Sequence, residues 1–242
     1  MKLIFLGTGH GVPGVDRFCS ATLLECGGKY YLIDCGAPVA QLLIRYGIAY
    51  EDLKAVFITH AHDDHTFGLP HLLSLGSWYY VNSEFPTYLS DYKRADALRN
   101  YLIVSDGNYD EKRFPLRAVE PGVFYQDENI KVEAVPTDHV GGDFLSFAFV
   151  IEGEGKRVVF TGDMHTGDPY DFPIIATQKP TDAIVCELVH FGADAIIEKL
   201  EKCPTKQVLF NHYHEEWAFN AINEMKLAFP TVAMKDGDIV TL

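Results

Sequence analysis

The segment Thr59-His60-Ala61-His62-Asp63-Asp64-His65 constrains this chain most, because it follows the apolar run 55–58 directly. A short apolar run ending in polar residues reads as a buried strand, so the histidines and acids stand at a strand end. In extended backbone, side chains two apart face the same way, which lets His60 and His62 converge on one ion. The chain must then turn, and Asp64 and His65 can point to a second ion nearby. Neutral imidazoles and carboxylates suit zinc, manganese or ferrous iron, and the lack of thiolates argues against a purely structural zinc site. One loop alone would leave such ions incompletely enclosed, so other strand ends must meet this one.

The rest of the chain supplies them. Residues 2–6, 21–26 and 29–34 read as short strands, with Gly27-Gly28 turning the last two into a hairpin. Residues 38–46 put Val39, Leu42, Leu43 and Tyr46 at helical spacing, and Gly47 supplies a stop. A strand is predicted over 55–59 and a helix over 69–75. Strand patterns resume at 130–135, 145–151, 157–161, 183–187 and 207–211, with helices over 193–202 and 215–228. Two strand-rich halves, each followed by helices, predict an α/β (α+β) protein built as a four-layer αββα sandwich. Gly and Pro are spread as punctuation rather than gathered in a linker, so residues 1–242 read as one domain.

Three further candidates stand just after predicted strands. His139 follows Pro136-Thr137-Asp138, with Gly141-Gly142 able to turn the backbone beside it. Asp163 ends Phe160-Thr161-Gly162-Asp163, where glycine permits close approach and a carboxylate can bridge two cations. His212 closes the strand over 207–211. Taken singly, each also reads as an ordinary loop or turn residue. Asp34 either fixes an imidazole tautomer from the neighbouring strand or caps the turn at Cys35-Gly36. His10, His165 and His214 lie near the same rim loops and read as facing substrate or supporting ligands.

These residues give the chain a family likeness. It resembles the metallo-β-lactamase superfamily from Phe5-Leu6-Gly7-Thr8-Gly9 to Asn211-His212. Within it, Pro13, Asp34-Cys35-Gly36, Phe57-Ile58-Thr59-His60 and Gly68-Leu69-Pro70 stand in the order of the branch containing ribonuclease Z and small phosphodiesterases. The resemblance implies one metal held by His60, His62 and His139, a second by Asp64, His65 and His212, and Asp163 between them. Zinc is the first expectation, with manganese or iron as alternatives. Asp64 has the family role of ligand and orienter of the attacking water. Ribonuclease Z carries a His-Glu pair where this chain has Cys186-Glu187, with His190 three residues beyond Glu187. That departure leaves His190 as a candidate donor of the leaving group's proton.

Charge and composition narrow the substrate. The net charge of −14 opposes the broad attraction to phosphate backbones or anionic membranes that basic proteins use. No projecting glycine- and proline-rich arm, such as the one with which ribonuclease Z grips transfer RNA, is visible. The leading expectation is therefore a phosphodiesterase acting on a small nucleotide or cyclic phosphodiester through metal-activated water. Carboxyl ester, thioester or lactone hydrolysis is the alternative chemistry, and a non-catalytic metal-dependent sensor of small molecules is the alternative class. Residues 78–109 carry Trp78, Tyr79, Tyr80, Phe85, Tyr88 and Tyr92. They serve either as a substrate wall or as core and homodimer packing. Five cysteines without Cys-x-x-Cys spacing suggest neither a disulfide framework nor a thiolate zinc knuckle. The apolar run at Leu3 to Leu6 is too short for a signal-peptide core, and none approaches the ~20 residues that span a bilayer. A reduced, cytoplasmic protein is expected.

Overall fold

The computed structural model describes residues 1–12, 14–143, 145–214 and 217–242. Pro13, and the first two residues of the helix expected over 215–228, lie outside the described residues. One sheet contains β1 (Lys2–Gly7), β2 (Ala21–Cys26), β3 (Lys29–Ile33), β4 (Leu53–Phe57), β5 (Thr87–Leu89) and β6 (Leu116–Ala118). The second contains β7 (Gly122–Gln126), β8 (Lys131–Thr137), β9 (Ser146–Gly153), β10 (Lys156–Phe160), β11 (Ala183–Leu188), β12 (Val208–Tyr213) and β13 (Thr231–Ala233). β14 (Ile239–Thr241) returns to the first sheet, giving the orders β14-β1-β2-β3-β4-β5-β6 and β13-β12-β11-β10-β9-β8-β7.

Strand alternation decides what each face meets. In β1, Leu3 and Phe5 point between the sheets, where they join Phe147, Phe149, Val158 and Leu209. Ile4 and Leu6 point the other way, onto α1 (Val39–Arg45) and α3 (Leu69–Trp78). The outer face of the second sheet buries Val159, Ile184 and Phe210 against α6 (Ala193–Leu200) and α7 (Trp217–Glu224). Strands buried on both faces carry unbroken apolar runs rather than alternation, which is why the sequence shows them as such. The four layers are those of an αββα sandwich. Phe57, fully buried, meets the rings of Tyr88, Phe124, Tyr125 and Phe149 between the sheets. Truncating such a phenylalanine to alanine costs about 3–5 kcal/mol.

The hairpin at Gly27-Gly28 forms as expected, with φ of 60° and 71°. Both values belong to the turn that matches strand twist and favours glycine. A Cβ on Gly27 would also come within 2.0 Å of Asn129 Oδ1.

Several boundaries differ from the sequence reading. β3 ends at Ile33 and β4 at Phe57, because Asp34 takes φ 58° and its carboxylate accepts the Thr59 amide at 2.8 Å. The short strands β5, β6, β13 and β14 span three residues each, too few to display alternation. A helix over Tyr92–Asp106, α4, runs to the left-handed Gly107; at its start Asp91 accepts the Arg94 amide. The aromatic stretch divides: Phe85 and Tyr88 are core, Tyr80 stacks on Tyr50 at 3.8 Å, and Trp78, Tyr79 and Tyr92 are exposed. Among the described residues, no helix is long and apolar enough to cross a membrane.

β3, β4 and β5 run parallel, as do β10, β11, β12 and β13. Their C-terminal ends, and that of β8, therefore open toward one rim, where loops leaving both sheets meet.

Candidate metal centre

The rim gathers every residue that the sequence put forward as a ligand. His60 and His62 follow β4, and Asp64 and His65 sit on a short helix, α2 (Asp63–Thr66). His139 follows β8, Asp163 follows β10, and His212 lies near the end of β12 with φ 50°. Donor atoms of His60, His62 and His139 lie within 4.8 Å of one another, as do those of Asp64, His65 and His212. Two further groups share the carboxylate between them: His60, His65 and Asp163, and His139, Asp163 and His190.

Asp163 is the hub. Its Oδ2 lies 3.1 Å from His212 Nε2, 3.4 Å from His65 Nε2, and 3.7 Å from both His60 Nε2 and His139 Nε2. Asp64 Oδ2 stands 3.7 Å from His212 Nε2 and 3.8 Å from His65 Nε2, on the other side of that subsite. Burial alone would raise the Asp163 carboxyl, but His212, His65 and His60 around it hold it well below the usual carboxylate range. Burial pushes His60 well below the usual imidazole range, and His65 beside it adds to this. His62 is lowered by burial and by His139. At His65 burial works in the same direction, but Asp163 and Asp34 outweigh it and raise the ring well above its usual value.

The tautomers are set from outside the cluster. Asp34 Oδ2 accepts from His65 Nδ1 at 2.8 Å, so His65 presents Nε2 to the centre. The same carboxylate accepts from the Thr59 amide and hydroxyl, tying the ends of β3 and β4 together. Of the two roles the sequence allowed for Asp34, holding an imidazole is the one the geometry shows. The Met164 carbonyl faces His139 Nδ1 at 2.9 Å, and a carbonyl only accepts, so that nitrogen carries the proton and Nε2 is a lone pair.

These donors suit a divalent cation. His62 Nδ1 lies 3.0 Å from His60 Nε2 and 3.3 Å from His139 Nε2. Two nitrogens on one tetrahedral zinc, each at about 2.0–2.1 Å, are about 3.3 Å apart. His65 Nε2 is buried without a hydrogen-bond partner, though it points at two carboxylates. An orphaned buried nitrogen is costly unless something charged or proton-bearing meets it, and an oxygen- and nitrogen-seeking cation does so.

His190 completes the departure noted in the sequence. Glu187 Oε2 accepts from His190 Nδ1 at 2.8 Å and from the His190 amide at 3.2 Å. Burial would lower His190, but its hydrogen bond to Glu187 outweighs that and raises it. A His-Glu pair is therefore rebuilt from residues three apart. Glu187 was not singled out in sequence because β11 ends between the two; the turn, not the strand period, brings them together. His10 and His214 stack at 5.2 Å on one side of the rim, and His165 packs against Tyr170 at 4.6 Å on the other. None of these three falls within the ligand groups.

Comparison with known proteins supplies the family. The chain is 36% identical over 144 residues to a ribonuclease Z of Halalkalibacterium halodurans, covering 58% of this chain and 46% of that protein. To a ribonuclease Z of Pseudomonas putida it is 36% identical over 216 residues, covering 77% and 65%. It thus spans less than two thirds of either relative's length. The metallo-β-lactamase fold protein YhfI from Bacillus subtilis superposes with a TM-score of 0.81 over 99% of both chains, at 19% identity. Residues 1–232 match the family described as Anti-Pycsar protein Apyc1, and the chain belongs to that family, with a metallo-β-lactamase fold and sequence similarity to ribonuclease Z.

Proposed function

We propose that this protein is a metal-dependent phosphodiesterase acting on a small nucleotide or cyclic phosphodiester, with two divalent ions, zinc foremost, at the rim. The observation that carries this reading is the pair of three-donor groups joined through one Asp163 oxygen. His60, His62 and His139 would hold one ion, Asp64, His65 and His212 the other, and Asp163 would stand between. When bound, paired divalent ions lower the pKa of water from ~15.7 towards ~7 and take up charge on phosphoryl oxygens.

The chain's own residues do the rest. Asp64, less buried than His65, orients the attacking water and can accept its proton. Asp34 and the Met164 carbonyl keep His65 and His139 in the tautomers that expose Nε2. His190, its Nδ1 proton held by Glu187, turns Nε2 towards the leaving group and carries a proton for it. Against the effect of burial, the hydrogen bond to Glu187 raises His190 above its usual value, which favours that protonated form. Support for phosphodiester chemistry also comes from the relatives, which are named as ribonucleases. The acidic surface favours a small substrate over a long nucleic acid.

The test is a substrate screen of protein loaded with zinc or manganese. Cleavage of a bis-aryl phosphate and of small cyclic phosphodiesters is expected. Activity confined to carboxylic esters, thioesters or lactones would reject the phosphodiesterase reading. Tight binding of such molecules without turnover would mark a sensor.

A further inference from the structure

The loop between β1 and β2 hides a buried cation. Residues 14–16 and Phe18 are exposed, yet Arg17 between them retains only 8% of its surface. Its guanidinium lies 3.8 Å above the Tyr213 ring. Nε donates to Thr8 Oγ1 at 3.0 Å, Nη1 to the Tyr213 carbonyl at 3.0 Å, and Nη2 to the Thr8 carbonyl. The planar fork of arginine is what allows one side chain to hold several acceptors in fixed directions.

Those acceptors bracket a single candidate ligand. The Thr8 carbonyl that Arg17 grips also accepts the His212 amide at 2.9 Å. The Tyr213 carbonyl it grips belongs to the residue after His212. His212 itself has φ 50°, a conformation that costs a side-chain-bearing residue and persists only where the surroundings hold it. The β11–β12 ladder slips its register at this place, so the sheet alone does not fix it. Asp236 closes the clamp from the other side, accepting from the Thr8 amide and hydroxyl at 2.8 Å each and from the Phe18 amide at 2.6 Å. Tyr213 is pinned at its far end, its hydroxyl donating to the Met234 carbonyl at 2.8 Å. Among the described residues, the hydrogen bonds of Arg17 end on Thr8 and Tyr213. His60 and His139 are held separately, through Thr59, Ser146 and Met164.

We propose that Arg17, acting through Thr8 and Asp236, is a positioning residue for His212, and so governs the Asp64–His65–His212 subsite without governing the His60–His62–His139 subsite. This rests on the two-metal reading of the rim. The consequence is an asymmetry: the two ions depend on different supports and are lost separately.

Zinc titration of the metal-free full chain against a chromophoric chelator tests it. Wild-type protein takes up two ions. In Arg17→Gln one binding step keeps its affinity and the other weakens by about 10–100-fold, the usual loss when an outer partner of a ligand is removed. Asp127→Asn, far from the rim, lowers the melting temperature and moves neither step. If Arg17→Gln does not fold, Thr8→Val, which removes the linking hydroxyl but keeps the shape, gives the same split at smaller size. Equal weakening of both steps, or no change in either, overturns the proposal while leaving the two-metal reading intact. Wild-type protein that binds no metal sinks both.

Discussion

The two ends of the sandwich handle carboxylates in opposite ways. At the end away from the rim, Asp127 accepts from the Tyr31 and Tyr125 hydroxyls at 2.6 and 2.9 Å and from the Asn129 and Ile130 amides at 2.8 Å each. Four donors meet the roughly four lone-pair sites of a carboxylate, and that end is complete in itself. At the rim, Asp163 is surrounded by ring nitrogens, and those of His60 and His139 also face His62 Nδ1 at 3.0 and 3.3 Å. Such an arrangement needs protons or cations from outside to offset its repulsion. A saturated network ties the sheets together; an unsaturated one of the same residue types is a place to bind something.

The sharpest way to break this contrast is Asp163→Ala. It should strip metal from both subsites and lower turnover by well over the ~100-fold that loss of an outer partner causes. Metal analysis together with kinetics checks this, and retained stoichiometry would show that Asp163 is not the shared support. Next in size, His190→Ala should slow cleavage of a nucleoside phosphodiester by about 10²–10⁴-fold. It should barely slow a bis(nitrophenyl) phosphate, whose leaving group needs no proton. Equal loss on both substrates removes His190 from the role of acid.

Chelation sharpens the comparison further. Metal bound at 100 times its dissociation constant stabilises the folded state by about 2.7 kcal/mol, so a chelator should lower the melting temperature of wild type and of Asp127→Asn alike. The smallest effect belongs to the closed end. Burial would raise Asp127, but the Tyr31 hydroxyl and the Ile130 and Asn129 amides outweigh it and hold the carboxyl below the usual range. A carboxyl depressed in the folded state contributes stability above its unfolded value of ~3.9 and loses it as pH falls through the folded one. Asp127→Asn should cost about 1 kcal/mol at neutral pH and less in acid, so its denaturation midpoint converges on wild type below about pH 4. A constant gap across that range would show that Asp127 is not the titrating support.

Much of this was legible in the residues themselves. His60, His62, Asp64 and His65 are close in sequence, so local backbone geometry nearly suffices to bring them together, and strand runs such as 3–6 and 158–160 declare two-sided burial by their unbroken apolarity. His139, Asp163 and His212 were readable as strand-end residues, because loops after parallel strands share a rim.

What only the tertiary structure decided is everything that depends on backbone turning out of its regular period. Glu187 reaches His190 across the end of β11, Asp34 reaches His65 from a left-handed residue, and Arg17 reaches past an exposed loop to the carbonyls on either side of the His212 amide. Sequence order records which side chains are available and the period of regular elements. The direction of a carbonyl at a turn is set by long-range packing, and that packing exists only once both sheets have closed on each other.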